Sequence, residues 1–321
     1  MLIALTALAL LLQGTPTPPP SPSHNRPKMK VHAPEAPRMR MHSRDGDDDS
    51  NGDLTRDTTF AVRSGQRLDV DDFGGSITVT AWNQDRVRVS ASGGSDPFSV
   101  DVGPVTVHVE SHPEDERGPG ESDLTIQVPA WMELNLSGNE VDVSTRGTRS
   151  NVQVNTVQGS VTIDGGEGNV EANSVEGDLT ISNVHGRVQL NTTEGSVTLR
   201  TVSGTDLDIE TVDGDIDMGD VTTPNIEANT VDGNIEWGGT LTAGGTYRFS
   251  THDGDLTLGI QGEPDATVSV ETFDGSIESD WPVTLSNTHQ HKMTFTLGSG
   301  RARLELSSFD GTISLKRGNG R

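Results

Sequence analysis

One nine-residue frame recurs along the chain and limits its fold more than any other feature. NVEANSVEG at 169–177 returns as NIEANTVDG at 225–233. The frame also holds RLDVDDFGG from Arg67, NVQVNTVQG from Asn151, RVQLNTTEG from Arg187 and DLDIETVDG from Asp206. TYRFSTHDG from Thr246, TVSVETFDG from Thr267 and RLELSSFDG from Arg303 complete the set. Most closing glycines are followed by polar-apolar-polar-apolar tetrads such as SVTI, DLTI, SVTL, DIDM and DLTL. The starts at 151, 169, 187, 206 and 225 are 18, 18, 19 and 19 residues apart, and the later gaps of 21, 21 and 36 read as loop insertions. Alternation of period two sends Val152, Val154, Val161 and Ile163 to one side of a strand and Gln153, Ser160 and Thr162 to the other. Two short strands per unit with glycine at the bend describe one coil of a β-solenoid, the glycine supplying backbone freedom at the corner. One such coil buries too little apolar surface to offset its ordering, so coils must stack and stability must grow with their number.

Composition agrees with a thin, repeated core. Of 321 residues only 12 are aromatic (Phe 7, Trp 4, Tyr 1), while 37 are glycine. Zero cysteines exclude disulfides, thiolate zinc sites and a Cys nucleophile. A net charge of −25 argues against nucleic acid and against anionic lipid headgroups as partners.

The N-terminal region reads as an address rather than a fold. Residues 2–12 (LIALTALALLL) are apolar but too short to span a bilayer, and the run meets TPTPPPSPS. This predicts a signal peptide over 1–14, and hence an exported protein of the periplasm, cell surface or extracellular space. No other stretch approaches a transmembrane length. Residues 15–57 lack any apolar period and are expected to form a disordered Pro-rich and acidic linker. Residues 58–145 keep strand character without the strict period and are assigned to N-terminal coils and a cap. The strict repeats over 146–317 are assigned to the solenoid proper, and the copy at 303–311 with TISLKRGNGR is expected to close its far end. The whole is read as an all-β, single-stranded parallel β-helix of about ten coils, each of about 18–21 residues.

FAVRSGQRLDVDDFGGSITVTAWNQDRVRVSAS, with its W-N-x-D-x-V-x-V segment from Trp82 to Val89, precedes many V-x-G-[SD]-[IVL]-T-[IVL] units. These residues resemble the bacterial family named putative adhesins, built from β-strand repeats, over about residues 58–316. The resemblance implies a β-helix in an exported or envelope-associated protein. It carries no catalytic motif to transfer.

Several residues invite a chemical reading. Asn155, Asn173, Asn191 and Asn229 occupy one coil position, interrupted by Glu210, and suggest a stacked amide ladder; turn tolerance of Asn is the plainer account. The next position is nearly always Thr or Ser: Thr156, Ser174, Thr192, Thr211, Thr230, Thr251, Thr272 and Ser308. Asp47, Asp49 and Asn51 followed by Gly52 match the first half of a calcium loop, but Thr58 stands where a bidentate Glu belongs, and a solvated linker explains them as well. Apart from this candidate calcium ion, no cofactor is implied.

Asp215, Asp217 and Glu236 are expected on one outward face, with Asp206 and Asp208 on the other. Stacked carboxylates repel unless a cation intervenes, so these rows are either a cation surface or a solubilising face. Asp215 and Asp217 could also serve a polysaccharide hydrolase or lyase, though every repeat offers carboxylates. His289 and His291 form a candidate metal pair, and His24, His32, His42, Met29, Met39 and Met41 a candidate copper set, neither complete. The sequence thus favours a non-enzymatic interaction module for a surface glycan, a wall component or an envelope protein. A carbohydrate-active β-helix enzyme and an envelope structural or stress factor are the alternatives, and loops near 219–224, 238–245, 259–266 and 280–300 are expected to carry specificity.

Overall fold

A computed structural model describes residues 55–92, 98–111, 122–283, 285–289 and 291–318. The expected signal peptide, most of the expected linker, the Asp47–Asp49–Asn51 motif and the His/Met set lie outside the described residues. The described residues form strands and connecting turns, with no helix among them. The described residues are all-β and solenoid-like.

Two parallel walls are built from alternate halves of each repeat. In the first wall Val152–Asn155 lies between residues 134–137 and 170–173, so that Val154 meets Leu136 on one side and Ala172 on the other. In the second, Val161–Asp164 lies between 143–146 and 179–182. The inward residues of both walls, among them Val152, Val161, Leu179, Leu190, Ile209 and Ile216, are buried in one continuous core. Parallel pairing runs without a break through the boundary expected at 145/146, because the strand Glu133–Arg146 joins both sides. At the corner between walls glycine is required by space as well as by φ. Gly159 has φ of 132°, and a Cβ there would sit 2.2 Å from the Val141 carbonyl oxygen.

The two ends of the stack depart from sequence order. Arg67–Trp82 pairs with Glu133–Arg146 on one edge, and with Thr106–Ser111 and Ser122–Pro129 on the other. The outer edges of those last two strands are covered antiparallel by Phe98–Val102 and Arg86–Ser92, and Thr55–Ala61 lies beyond Arg86–Ser92.

The C-terminal end repeats the device and corrects one expectation. The copy at 303–311 does not close the far end. Its strand, Ala302–Arg317, is inserted between Thr246–Asp253 with Leu256–Ile260 on one side and Ala266–Ser279 on the other. The outermost parallel layer is therefore Ala266–Ser279, whose free edge over residues 266–271 is covered antiparallel by Lys292–Leu297, with Leu285–His289 beyond. An open sheet edge invites pairing with another chain; antiparallel strands occupy the edges of both walls at the N-terminal end, and the edge of the first wall at the C-terminal end.

Candidate functional site

The outward rows differ in what already satisfies them. Asn155, Asn173 and Asn191 stack in register. Asn173 Nδ2 donates to Asn155 Oδ1 at 2.9 Å, and Asn191 Nδ2 donates to Asn173 Oδ1 at 2.7 Å. Glu210 then takes the position and separates Asn229 from the other three.

Asp215, Asp217 and Glu236 share one outward face, with Asp217 directly beside Glu236 in the next layer. Each aspartate is engaged. Asp215 Oδ1 accepts from the Asn234 backbone N–H at 2.7 Å and from Asn234 Nδ2 at 3.1 Å. Asp217 takes a two-pronged ion pair from Arg200, one arm of which is Nη1 to Oδ1 at 2.9 Å. The Asp217 hydrogen bond holds the Arg200 guanidinium above its ordinary range, and the charges of Glu236 and Asp220 add to this. Arg200 therefore supplies the positive charge that a bound cation would bring.

Asp215 also belongs to a pattern that its own repeat does not reveal. Asp142, Asp178, Asp215 and Asp255 occupy every second layer at this corner. Their Oδ1 atoms accept the backbone N–H of Ser160 (2.7 Å), Ser196 (2.8 Å), Asn234 (2.7 Å) and Thr312 (2.6 Å) in the following layer. The neutral residue between successive aspartates keeps carboxylates about two strand spacings apart, which lowers their mutual repulsion.

Asp208 stands between Gln189 and Glu227 on the first wall. Burial raises its pKa, the Glu227 charge raises it further, and Arg187 opposes both. Arg248 in the same region donates to Glu305 at 2.9 Å and approaches Glu227 at 3.7 Å. Among the described residues no group of three or more His, Asp or Glu is placed to hold a metal ion. His291 is described, whereas the side chain of its expected partner His289 is not.

The most exposed apolar feature is one that repeat reading passes over. In most frames the Thr or Ser before the bend turns inward and is buried. Thr192, Thr211, Thr230 and Thr251 donate to the carbonyls of Gly177, Gly195, Gly214 and Gly233 in the preceding layer, at 3.0–3.4 Å. The following residue is consequently turned out. Val157, Val175, Val212 and Val231 are each 46–49% exposed, and Phe309 and Phe273 are 47% and 59% exposed. Thr193 and His252 fill the intervening layers. The row ends in a ring stack of His252, Phe309, Phe273 and His291, with successive centroids 4.7, 4.9 and 4.4 Å apart.

Directly beside the ridge runs an in-register carboxylate row of Glu176, Glu194, Asp213, Asp232, Asp253, Asp310 and Asp274. At the aromatic end, Ser250, Glu271, Ser307 and the rings line a shallow groove of about 480 Å³. The sequence signal was present as the residue before the Gln-, Glu- or Asp-Gly pair in TVQG, SVEG, TVDG, TFDG and SFDG. Isolated exposed apolar residues are ordinary, but a contiguous row marks an interaction surface.

A family model described as Toastrack DUF4097 matches residues 66–316. No curated protein matches the chain. Among solved structures, a protein from Bacteroides fragilis named a putative adhesin is similar at 15% identity and a TM-score of 0.46, over 83% of this chain and 97% of that one. A protein of the same description from Parabacteroides distasonis is similar at 10% identity and 0.42, over 82% and 97%. A protein from Parabacteroides distasonis named a putative lipid binding protein is similar at 12% identity and 0.39, over 83% and 98%. No helix among the described residues is long and apolar enough to cross a membrane.

Proposed function

The chain belongs to the Toastrack family, DUF4097, and we propose that it works outside the cytoplasm as a non-enzymatic interaction module, a rigid stack of strands that holds a partner of the cell envelope on its outward rows. The observation that carries this reading is the apolar ridge from Val157 to Phe273, which contributes little to the core and is costly to expose unless something covers it. The apolar run at 2–12 and the proline-rich stretch after it support export. The engagement of Asp215 by Asn234 and of Asp217 by Arg200 speaks against a free carboxylate pair for hydrolysis.

The test uses the chain from residue 15 onward, incubated with insoluble wall and matrix polysaccharides and with envelope protein extracts, with and without a chelator. Retention that falls when Val212 and Val231 are both changed to Ser, with no release of reducing or unsaturated sugar ends, is the expected result. Loss of retention on chelation alone would move attention to an ion at Asp47, Asp49 and Asn51 or on the acidic rows. Release of sugar ends that is abolished by Asp215→Asn or Asp217→Asn would replace the module with an enzyme.

A further inference from the structure

From Val175 onward the ridge and the carboxylate row run side by side along the stacking direction, one ridge side chain and one charge per layer, and their spacing selects a partner. Successive layers lie about 4.8 Å apart. An α-helix laid along this direction presents a side chain to the ridge once per turn, about every 5.4 Å, and so drifts by only roughly 0.6 Å per layer. An extended strand presents same-face side chains about every 6.7 Å and is out of step by roughly 1.9 Å after a single layer. A helix therefore keeps its side chains between those of the ridge across three or four layers, as ridges enter grooves in helix packing.

The aromatic end also argues against a flat ligand. Phe309 and Phe273 lie face to face with an interplanar angle of 3°, between His252 and His291. The four rings cover one another's faces and turn their edges outward, leaving little aromatic face along the ridge for a sugar ring to stack on. Charge supplies the remaining constraint. Asp213, Asp232, Asp253, Asp310 and Asp274 stack with no neutral residue between them, unlike the alternating aspartates at 142, 178, 215 and 255. Like charges opposed across neighbouring strands are destabilising, and cations placed alongside relieve the repulsion.

We propose that this corner docks a cationic amphipathic α-helix of another polypeptide. Its apolar stripe lies on Val212, Val231, Phe309 and Phe273, and its Lys or Arg side chains lie beside Asp213, Asp232, Asp253 and Asp310. The proposal rests on the reading of the chain as an interaction module and names the partner's chemistry.

The probe is a synthetic peptide of about five helical turns with a leucine stripe flanked by lysines. A control peptide has the same composition in an order that forms no stripe. Binding to the chain from residue 15 onward is measured at physiological salt. The amphipathic peptide is expected to bind at least tenfold more tightly than the control. Val212→Ser with Val231→Ser, which keeps every charge, should remove most of that difference. Asp213→Asn with Asp232→Asn should weaken both peptides and flatten their salt dependence. Thermal melts of the variants establish that they fold.

Equal affinity for the two peptides would overturn the proposal, because charge alone would then explain binding. So would ridge-dependent self-association in sedimentation, which would make a second copy the occupant. Ridge-dependent retention on a polysaccharide without peptide binding would overturn the helix and leave the module standing. Ridge variants that change no binding of any kind would overturn both.

Discussion

Asp72 occupies the position that carries an inward Thr or Ser in the later repeats, and it shows what the frame tolerates at a single residue. Its Oδ1 accepts from Ser111, from Ser122 at 3.0 Å and from the Phe73 backbone N–H at 2.8 Å, while Oδ2 is buried without a partner. Burial raises its pKa above the ordinary carboxylate value against the pull of those bonds. The folded state then binds more protons than the unfolded state from the unfolded pKa near 3.8 up to the raised folded value, so stability falls as pH rises through that window. Asp72→Asn keeps an oxygen acceptor and removes the charge. It should flatten this stretch of the pH–stability curve in denaturant titrations, and an unchanged slope would show that another group sets it. Thr201 makes a second single-residue case. It holds φ of 56° at a corner where Gly165 occupies the corresponding position. A β-branched residue is strained there, so Thr201→Gly should stabilise by about 0.5–1 kcal/mol after Gly's greater unfolded-state entropy is subtracted. A lowered denaturation midpoint would refute the strain. Residues of this kind were only partly legible in sequence. The amide positions 155, 173 and 191 announce themselves because Asn recurs. The ridge does not, because Val, Thr, His and Phe share its position and period-two alternation carries no marker for a residue turned out at a bend.

At the scale of the strand, alternation specifies which side chains enter the core, and it was legible from the first repeat read. Val161 and Leu179 are buried to completion in neighbouring layers, and Thr162, between Ser144 and Thr180, is exposed. Val161→Asp or Leu179→Asp places an unpaired carboxylate in a core only two walls thick and should cost several kcal/mol. Thr162→Asp should shift stability by less than about 0.5 kcal/mol, because the new charge stays in water. Equal losses from the inward and outward changes, measured by thermal melts, would put the strands in the wrong register. The corner chemistry was less legible. A tetrad beginning with Asp in one repeat and Ser in the next looks like drift when repeats are aligned to one another. It becomes a rule only when layers are stacked, because the Asp of one layer accepts the backbone N–H of the next. Asp215 is thereby accounted for as a fastening between layers, which a single copy of the motif cannot express.

Across the whole described stack, the order of layers is what the repeat could not encode. The copies from Thr246, Thr267 and Arg303 carry the same inward pattern, so any of them could lie on any other with a sound core. Selection comes from the hairpins. The segment after Ala266–Ser279 returns through Leu285–His289 and Lys292–Leu297 and occupies the outer edge of residues 266–271. The first half of Ala302–Arg317 then has only the inner edge open to it, against Thr246–Asp253, and its second half follows along Leu256–Ile260. The last strand in sequence is consequently an inner layer, with Leu304, Leu306, Ile313 and Leu315 buried on both sides by parallel neighbours. Ending the chain after Arg301 should therefore cost far more than an edge layer would. Amide hydrogen exchange should show protection lost over both 246–260 and 266–279, while 152–200 keeps its protection. Because the Thr267 copy carries the same pattern as the missing one, it has a competing course, which is to slide one layer inward and dock on Thr246–Asp253. Restored protection over 266–279 in the shortened chain would reveal that course. It would mean that the hairpins bias the order of layers without fixing it. Loss at both segments would mean that this end of the fold is held by a layer that follows both of its neighbours in sequence and lies between them.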